Sequence, residues 1–358
     1  MKQLCMLMAL PFLCCIGLAQ APRQPIRGTW VTNVGSKALL NEKNVKETVA
    51  LCKQKGLNSI FVVVWNGGVT MYPSKVVQAY IGIKQDTVYK NFDPIACIVK
   101  EGHKQGLKVH AWFEFGFSYA YKDSNSIWYK KYPQWAAKNG SKQLLQKNGF
   151  YWWNAINPDV QLFVNKLVKE VVSKYDVDGI QGDDRLPAMP AEGGYDDYTL
   201  SLYKNETGIT APTNCREPKW LQWKADKLSA FGKNLYTQVK KIKPNCAVSW
   251  APSLYPWSKE QYLQDWPTWL ANGYADFVMP QLYRYTIKDY ERILLELKNQ
   301  ITPAQQKVIF PGILTSLADG YLIKPEMLKQ IIVLNRKYGF EGECLFYFES
   351  LKKIETLY

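Results

Sequence analysis

The chain has 358 residues, with 45 Lys and Arg against 31 Asp and Glu, for a formal charge of +14 at pH 7. The excess is mostly Lys and is spread along the chain, which argues against a nucleic-acid stripe and for a solvated basic surface. Eight cysteines and two histidines are too few and too badly spaced for a disulfide scaffold or a zinc centre.

The first nineteen residues read as a cleavable leader. Lys2 supplies the positive end, Leu4 to Leu18 an apolar run too short to span a bilayer, and Gly17 and Ala19 the small residues before a cut. Phe12 and Leu13 before Cys14 and Cys15 are too bulky for a lipoprotein signal. No other segment reaches the roughly 18 apolar residues of a membrane helix. The expectation is an exported protein, periplasmic or extracellular, without stable membrane insertion. Its residues 20–358 form a single domain, since no linker or composition break divides them.

Eight strand-like segments then alternate with helical patterns. The first strand is Gly28 to Thr32, followed by a helix from Asn41 to Lys55 that stops at Gly56. Ser59 to Trp65 is an unbroken apolar run, as in a strand buried on both faces. Pro94 opens a helix from Asp93 to Gln105, and Lys108 to Glu114 is the third strand. A helix from Pro158 to Lys174 precedes the fourth strand, Gly179 to Asp183. A long helix from Glu217 to Lys243 leads to a strand at Ala247 to Ala251, and Glu260 to Asn272 is helical. Strands Asp276 to Leu282, Lys307 to Pro311 and Gly342 to Phe348 alternate with helices Ile287 to Asn299 and Pro325 to Arg336.

This rhythm predicts a single (β/α)8 barrel of the α/β class, with long functional loops after strands two, three and four. No Gly-rich dinucleotide fingerprint follows the first strand, and no cofactor is expected.

The stretch DGIQGDD at 178 to 184 ends a strand in two carboxylates, the place where barrel enzymes keep their working residues. The plainer alternative is that Asp183 and Asp184 cap a following helix. Period-two alternation puts His110, Trp112 and Glu114 on one face, and Gly179, Gln181 and Asp183 on one face. If Gly179 faces the lumen, Asp183 points into the site. Gln281 and Tyr283 end strand six and Glu349 follows strand eight, so Glu114, Asp183, Asp184 and Glu349 are expected to converge. Asp183, Asp184 and Glu114 are the catalytic candidates.

Thirteen Trp and 23 Tyr crowd toward predicted loops, where flat rings suit sugars. Trp30, Trp65, Asn66, His110, Trp112, Trp152, Trp153, Arg185, Trp250, Gln281, Tyr283 and Glu349 are therefore the substrate-binding candidates. Trp30, Trp65, Trp112 and Trp250 end strands, whereas Trp152, Trp153 and Trp257 lie in loops, where a core role is less expected. Two histidines cannot make a three-imidazole metal site; a magnesium or calcium site from Asp183, Asp184 and Glu114 stays open.

Several segments together resemble the bacterial family-10-like glycosyl hydrolases, exported barrel proteins distinct from the xylanases. They are RGTWVTN at 27 to 33, GLNSIFVVVWNGGVTMYPS at 56 to 74, GLKVHAWFEF at 106 to 115 and NPDVQ at 157 to 161, with DVDGIQGDD at 176 to 184 and WLANGYADFVMPQLY at 269 to 283. The resemblance implies a barrel that hydrolyses glycosidic bonds of a poly- or oligosaccharide. It makes Asp183 and Asp184 the central pair, with Gln281 and Tyr283 the polar pair of strand six. Arg185 stands where the family commonly has an aromatic residue, and Glu349 where it has a small or polar one.

A guanidinium next to the aspartates is expected to hold their pKa values down and to leave Glu114 as the proton donor. The competing readings are a catalytically silent carbohydrate-binding barrel and a lyase or isomerase using Arg185 or Arg284 on a sugar acid.

Overall fold

The computed structural model describes residues 24–355 and residue 357, so the expected leader at 1–19 lies outside the described residues. Eight parallel strands form the central sheet. They are β1 (Arg27–Val31), β2 (Ser59–Val63), β3 (Lys108–Phe113), β4 (Gly179–Gly182), β5 (Ala247–Trp250), β6 (Phe277–Val278), β7 (Gly312–Leu314) and β8 (Glu343–Phe346). From β1 to β6 each strand pairs with its sequence neighbour, β7 pairs with β8, and β8 pairs with β1. Bridges from Val278 to Ile309 and from Gln281 to Gly312 join β6 to the approach of β7 and complete the ring. The protein is a (β/α)8 barrel.

Six of the expected helices are present: Glu42–Gln54, Pro94–Lys104, Pro158–Lys174, Pro218–Ile242, Ile287–Asn299 and Pro325–Lys337. Their starts follow from local chemistry. Asn41, Asp93, Asn157 and Thr286 each accept a backbone N–H of the first turn.

Three expectations need correction. The helix expected from Glu260 to Asn272 is two short helices, Trp257–Tyr262 and Trp266–Ala271. Leu263 breaks it in a left-handed conformation (φ 62°), and Pro267 starts the second piece. The sixth strand is short because Pro280 has no N–H to give a ladder. The seventh begins at Gly312 rather than Lys307, because Pro311 likewise interrupts the ladder before it.

The long loops after β2, β3 and β4 are folded. The first contains a hairpin, Trp65–Asn66 against Val69–Thr70, and a helix, Lys75–Ile81. The second contains a three-stranded antiparallel sheet of Ser118–Tyr121, Phe150–Trp152 and Gln146–Lys147. The third contains a helix, Asp197–Thr207. The first two inserts share an aromatic core with the helix Pro158–Lys174. Trp65 stacks on Trp153 with centroids 6.2 Å apart, Trp153 meets Phe163 at 5.4 Å, and Trp128 meets Phe163 at 4.8 Å.

Trp152 and Trp153 therefore belong to a core. Trp152 and Trp153 are 2% and 1% exposed. Trp250 lies behind the sheet, against Trp269 at 5.6 Å. Loop position alone did not mark these rings as sugar platforms. Rings this large bury more apolar area packed on one another than a solvated loop allows.

Trp153→Ala is expected to destabilise the protein by roughly 3–5 kcal/mol, the usual cost of emptying a large core site. Urea unfolding measures it. A change of a few tenths of a kcal/mol would show a dispensable surface ring.

Candidate active site

The carboxyl ends of β3, β4 and β6 bring together one acidic cluster. A Cβ on Gly179 would fall 2.3 Å from His110 Nδ1, so Gly179 faces the lumen. Two residues on, Gln181 Oε1 accepts from Trp30 Nε1 at 2.7 Å. Two further on, Asp183 Oδ1 accepts from Gln281 Nε2 at 2.9 Å. The alternation expected from sequence holds. The helix-cap alternative fails, because the next helix starts at Asp197 with Asp196 as its cap.

Arg185 organises the cluster. Its NH2 group lies 3.2 Å from Asp183 Oδ2 and its NH1 group 3.0 Å from Asp184 Oδ1. Its Nε donates to the Glu114 backbone carbonyl at 2.9 Å, and its guanidinium lies 4.7 Å from the Phe150 ring centre. Glu114 Oε2 accepts from Thr32 Oγ1 at 2.8 Å. The backbone must come close for this. A Cβ on Gly116 would sit 2.0 Å from the Arg185 carbonyl oxygen, which instead accepts from Phe117 N at 2.9 Å. Only glycine fits there, at φ +53°.

The electrostatics correct one expectation. Desolvation raises Asp183 well above the ordinary carboxylate range, and the charge of Asp184 adds to this; Arg185 only opposes it. Desolvation likewise pushes Glu114 up to about 7, against the opposing effects of Arg185 and the Thr32 hydrogen bond. Three carboxylates facing one guanidinium cannot all be charged cheaply away from water, so the cluster retains a proton near neutral pH. Asp184 is the more open aspartate, with its side chain 33% exposed against 6% for Asp183.

Other candidates are placed elsewhere. Glu349 does not join the cluster. The chain turns after β8 into a 3-10 helix, Phe348–Lys352, whose first turn carries Glu349. There it accepts from Ser36 Oγ at 2.6 Å and Lys352 Nζ at 2.7 Å. His110 lies a layer below the carboxylates, stacked on Phe61 at 4.6 Å, and lines a cavity at the opposite, amino-terminal mouth. Trp30 and Trp112 fill the lumen, 1% exposed and 6.3 Å apart. Trp65 is equally buried and donates to the Gly116 carbonyl at 3.1 Å. Asn66 sits in the hairpin after β2, donating to Asn33 Oδ1 at 2.9 Å.

Gln281 and Tyr283 meet the expectation of proximity. They line a cavity of about 400 Å³ together with Tyr255, Trp257 and Arg284. The acidic cluster electrostatically affects Tyr283, whose hydroxyl pKa is raised well above normal by burial and then by Asp183. Trp257 is 48% exposed and is the loop tryptophan open to a ligand. Its neighbour Pro256, at the start of a helix, was the available signal. Among the described residues, no group of three or more His, Cys, Asp or Glu side chains is arranged to hold a metal ion. Arg185 supplies the positive charge at the aspartates.

Arg185→Leu is expected to raise the Glu114 pKa above about 7, because the guanidinium lowers it in the intact protein. A carbon-13 NMR titration of labelled Glu side chains reads this without any substrate. An unchanged or lower value would show that Glu114 does not sense Arg185.

Comparison with known proteins agrees with this architecture. The family described as glycosyl hydrolase-like 10 matches residues 25–322. The chain is 23% identical to glycosyl hydrolase DigH of Escherichia coli (strain K12), over 94% of this chain and 86% of that relative. It is 22% identical to glycosyl hydrolase YngK of Bacillus subtilis (strain 168), over 74% of this chain and 55% of that relative. In fold it is similar to the PgaB (BpsB) glycoside hydrolase domain of Bordetella bronchiseptica, with a TM-score of 0.70 at 13% identity, covering 93% and 99% of the two chains. It is also similar to an alpha-L-fucosidase isoenzyme 2 from Paenibacillus thiaminolyticus, with a TM-score of 0.64 at 16% identity, covering 91% and 48%. With a family match over most of its length, on a barrel that carries the acidic cluster where such enzymes work, this chain belongs to the glycosyl hydrolase-like 10 family.

Proposed function

We propose that the protein is an exported glycoside hydrolase that cleaves a poly- or oligosaccharide by carboxylate acid/base chemistry. The observation that carries this reading is the pairing of unlike carboxylates around Arg185. Glu114 is raised to about 7, and Asp184 is ion-paired with Arg185 and partly exposed. Glycosidic cleavage requires one carboxyl group that holds a proton and another that carries charge.

In this reading Glu114 gives its proton to the bridging oxygen. The bond from the anomeric carbon to that oxygen breaks, and its electron pair leaves with the oxygen. Asp184 stabilises the positive charge that develops on the ring; water then forms the new bond to the anomeric carbon, and the proton it loses returns to the carboxylate cluster. Asp183 lies deeper, fixed by Gln281 and Arg185, and sets the charge balance of the cluster. The exposed ring of Trp257 and the hydroxyl of Tyr283 offer contacts for the sugar beside it.

A catalytically silent carbohydrate-binding barrel is the second reading. The engagement of both aspartates by Arg185 favours it. A glycan panel separates the two. Release of shortened products supports the enzyme, and tight binding with no product from any glycan supports the silent barrel.

Asp183→Asn is expected to fold normally and to lower turnover by a factor on the order of 10² or more. Full activity of this variant on the parent's substrate would remove Asp183 from the mechanism. The pH profile gives a separate check. An acid must be protonated to work, so activity should fall as pH rises through about 7, where Glu114 loses its proton. Glu114→Gln should abolish that limb and harm substrates with poor leaving groups most. A limb that persists in Glu114→Gln assigns the donor role to another group.

A further inference from the structure

A second cavity, of about 330 Å³, opens on the same face of the barrel between the segments that follow β1, β7 and β8. Gly35, Ser316, Tyr321, Tyr347, Glu349 and Lys352 line it, with Lys353 at its solvent edge. Its charged pair is already satisfied, since Glu349 binds Ser36 and Lys352. Two hydroxyls are not. Ser316 Oγ and Tyr321 Oη are both shielded from solvent, and neither has a hydrogen-bond partner. Ser316 as a whole is 7% exposed. A buried hydroxyl without a partner costs free energy, so its retention at a cavity wall points to a ligand that completes it.

The wall is preformed. Ser316 N donates to the Phe346 carbonyl at 3.0 Å, and Leu317 N to the Tyr321 carbonyl at 3.0 Å. Ser316 and Leu322 close the turn as a bridge. Behind it, Ser350 Oγ donates to Thr315 Oγ1 at 2.8 Å. The loop is tied to β8, so both hydroxyls keep a fixed geometry.

The cavity also lies next to the segment that carries Gln281, Tyr283 and Arg284, through a contact between Tyr285 and Tyr321. Tyr285 is 61% exposed and follows Arg284, which lines the cavity at Gln281 and Tyr283. Its ring meets the Tyr321 ring edge-on at 5.0 Å. The exposed Tyr285, packed on the half-buried Tyr321, thus stands as a ridge between the segments that line the two cavities. Around the ring the order is carboxylates at β4, first cavity at β5 and β6, tyrosine ridge, then second cavity at β7, β8 and β1.

We propose that this second cavity is a distal subsite for a neutral sugar unit of an extended glycan whose scissile bond lies at Glu114, Asp183 and Asp184. Ser316 and Tyr321 hydrogen-bond its hydroxyls, and Tyr285 supports the chain between the two sites. The ligand is neutral because the Glu349–Lys352 pair is closed on itself, the buried open groups are hydroxyls, and Lys353 lies exposed at the solvent edge. This inference rests on the glycoside hydrolase reading and makes that enzyme a binder of chains rather than of single terminal sugars.

The test uses the full chain carrying Asp183→Asn, to slow turnover, alone and combined with Ser316→Val or Tyr321→Phe. Calorimetry measures affinity for neutral gluco-, galacto- and manno-pentaoses, their 2-acetamido counterparts and the matching disaccharides. The parent background should bind at least one pentaose more tightly than its disaccharide. Each hydroxyl removal should lower that pentaose-to-disaccharide ratio roughly 3- to 10-fold, the worth of one hydrogen bond. Thermal unfolding should be unchanged or slightly higher, because an unpartnered buried hydroxyl is being removed. A ratio unmoved by both substitutions overturns the subsite, and so does a panel with no preference for length. A fall in melting temperature of several degrees in both variants would overturn it too, by showing that the hydroxyls support the fold. Continued hydrolysis in the Asp183→Asn background would count against the carboxylate mechanism alone, since the subsite is read as a ratio of affinities.

Discussion

One guanidinium holds the mouth of this barrel together. Arg185 faces Asp183 and Asp184 through its two terminal nitrogens and binds the backbone of Glu114 through the third. A planar fork is needed for this, and a lysine ammonium presents no such geometry. Take the positive charge away and three carboxylates compete in a space shielded from water. Keep it, and the group still carries more acid than one cation balances. Proton retention at Glu114 follows from that arithmetic together with burial. The feature that recommends the site for chemistry is therefore the same one that makes it costly to fold.

The surrounding structure exists to hold that geometry. Gly116 lets the segment after β3 press against the Arg185 backbone, and Phe117 seals the contact with a hydrogen bond. Gln264 donates to the Asp183 carbonyl at 3.1 Å from the link between the two short helices. Phe150, from the added three-stranded sheet, covers the guanidinium face. Three separate segments thus fix one turn of chain, Asp183 to Leu186, whose own hydrogen bond is 3.0 Å. Each support is weak alone. Together they keep the carboxylates in place without substrate.

Much of this was legible in the sequence, for identifiable reasons. Strands buried on both faces leave unbroken runs such as Ile60 to Val64, and helix caps leave Asn or Asp before a proline, so the barrel could be counted out. Period-two alternation from Gly179 to Asp183 needed no tertiary information. The failures also have physical causes. Trp152 and Trp153 looked like loop rings because the small sheet that buries them is held by contacts distant in sequence, with Trp128, Trp135 and Phe163. The helix Asp197–Thr207 was hidden in a stretch with only a modest apolar stripe. Glu349 looked convergent because nothing local reveals that the chain bends away after β8. The direction of the Asp183 shift depended on burial, and proximity of Arg185 in sequence said nothing about how dry the site is.

The barrel mouth is lopsided. On the side of β2 to β4, inserted segments interlock through a web of tryptophan rings, with Trp65, Trp128 and Trp153 at its centre. On the side of β5 to β8, the connections are shorter and carry their aromatic rings outward, as Trp257 and Tyr285 do. Evolutionary change meets these halves differently. A substitution in the interlocked half disturbs many partners at once and is purged, whereas the outward half can exchange residues singly with little penalty to folding. Paralogues and orthologues should thus diverge in glycan preference through β5 to β8, with the tryptophan web inherited as one block. Under the proposed glycoside hydrolase reading, the evolvable surface for sugar preference lies there.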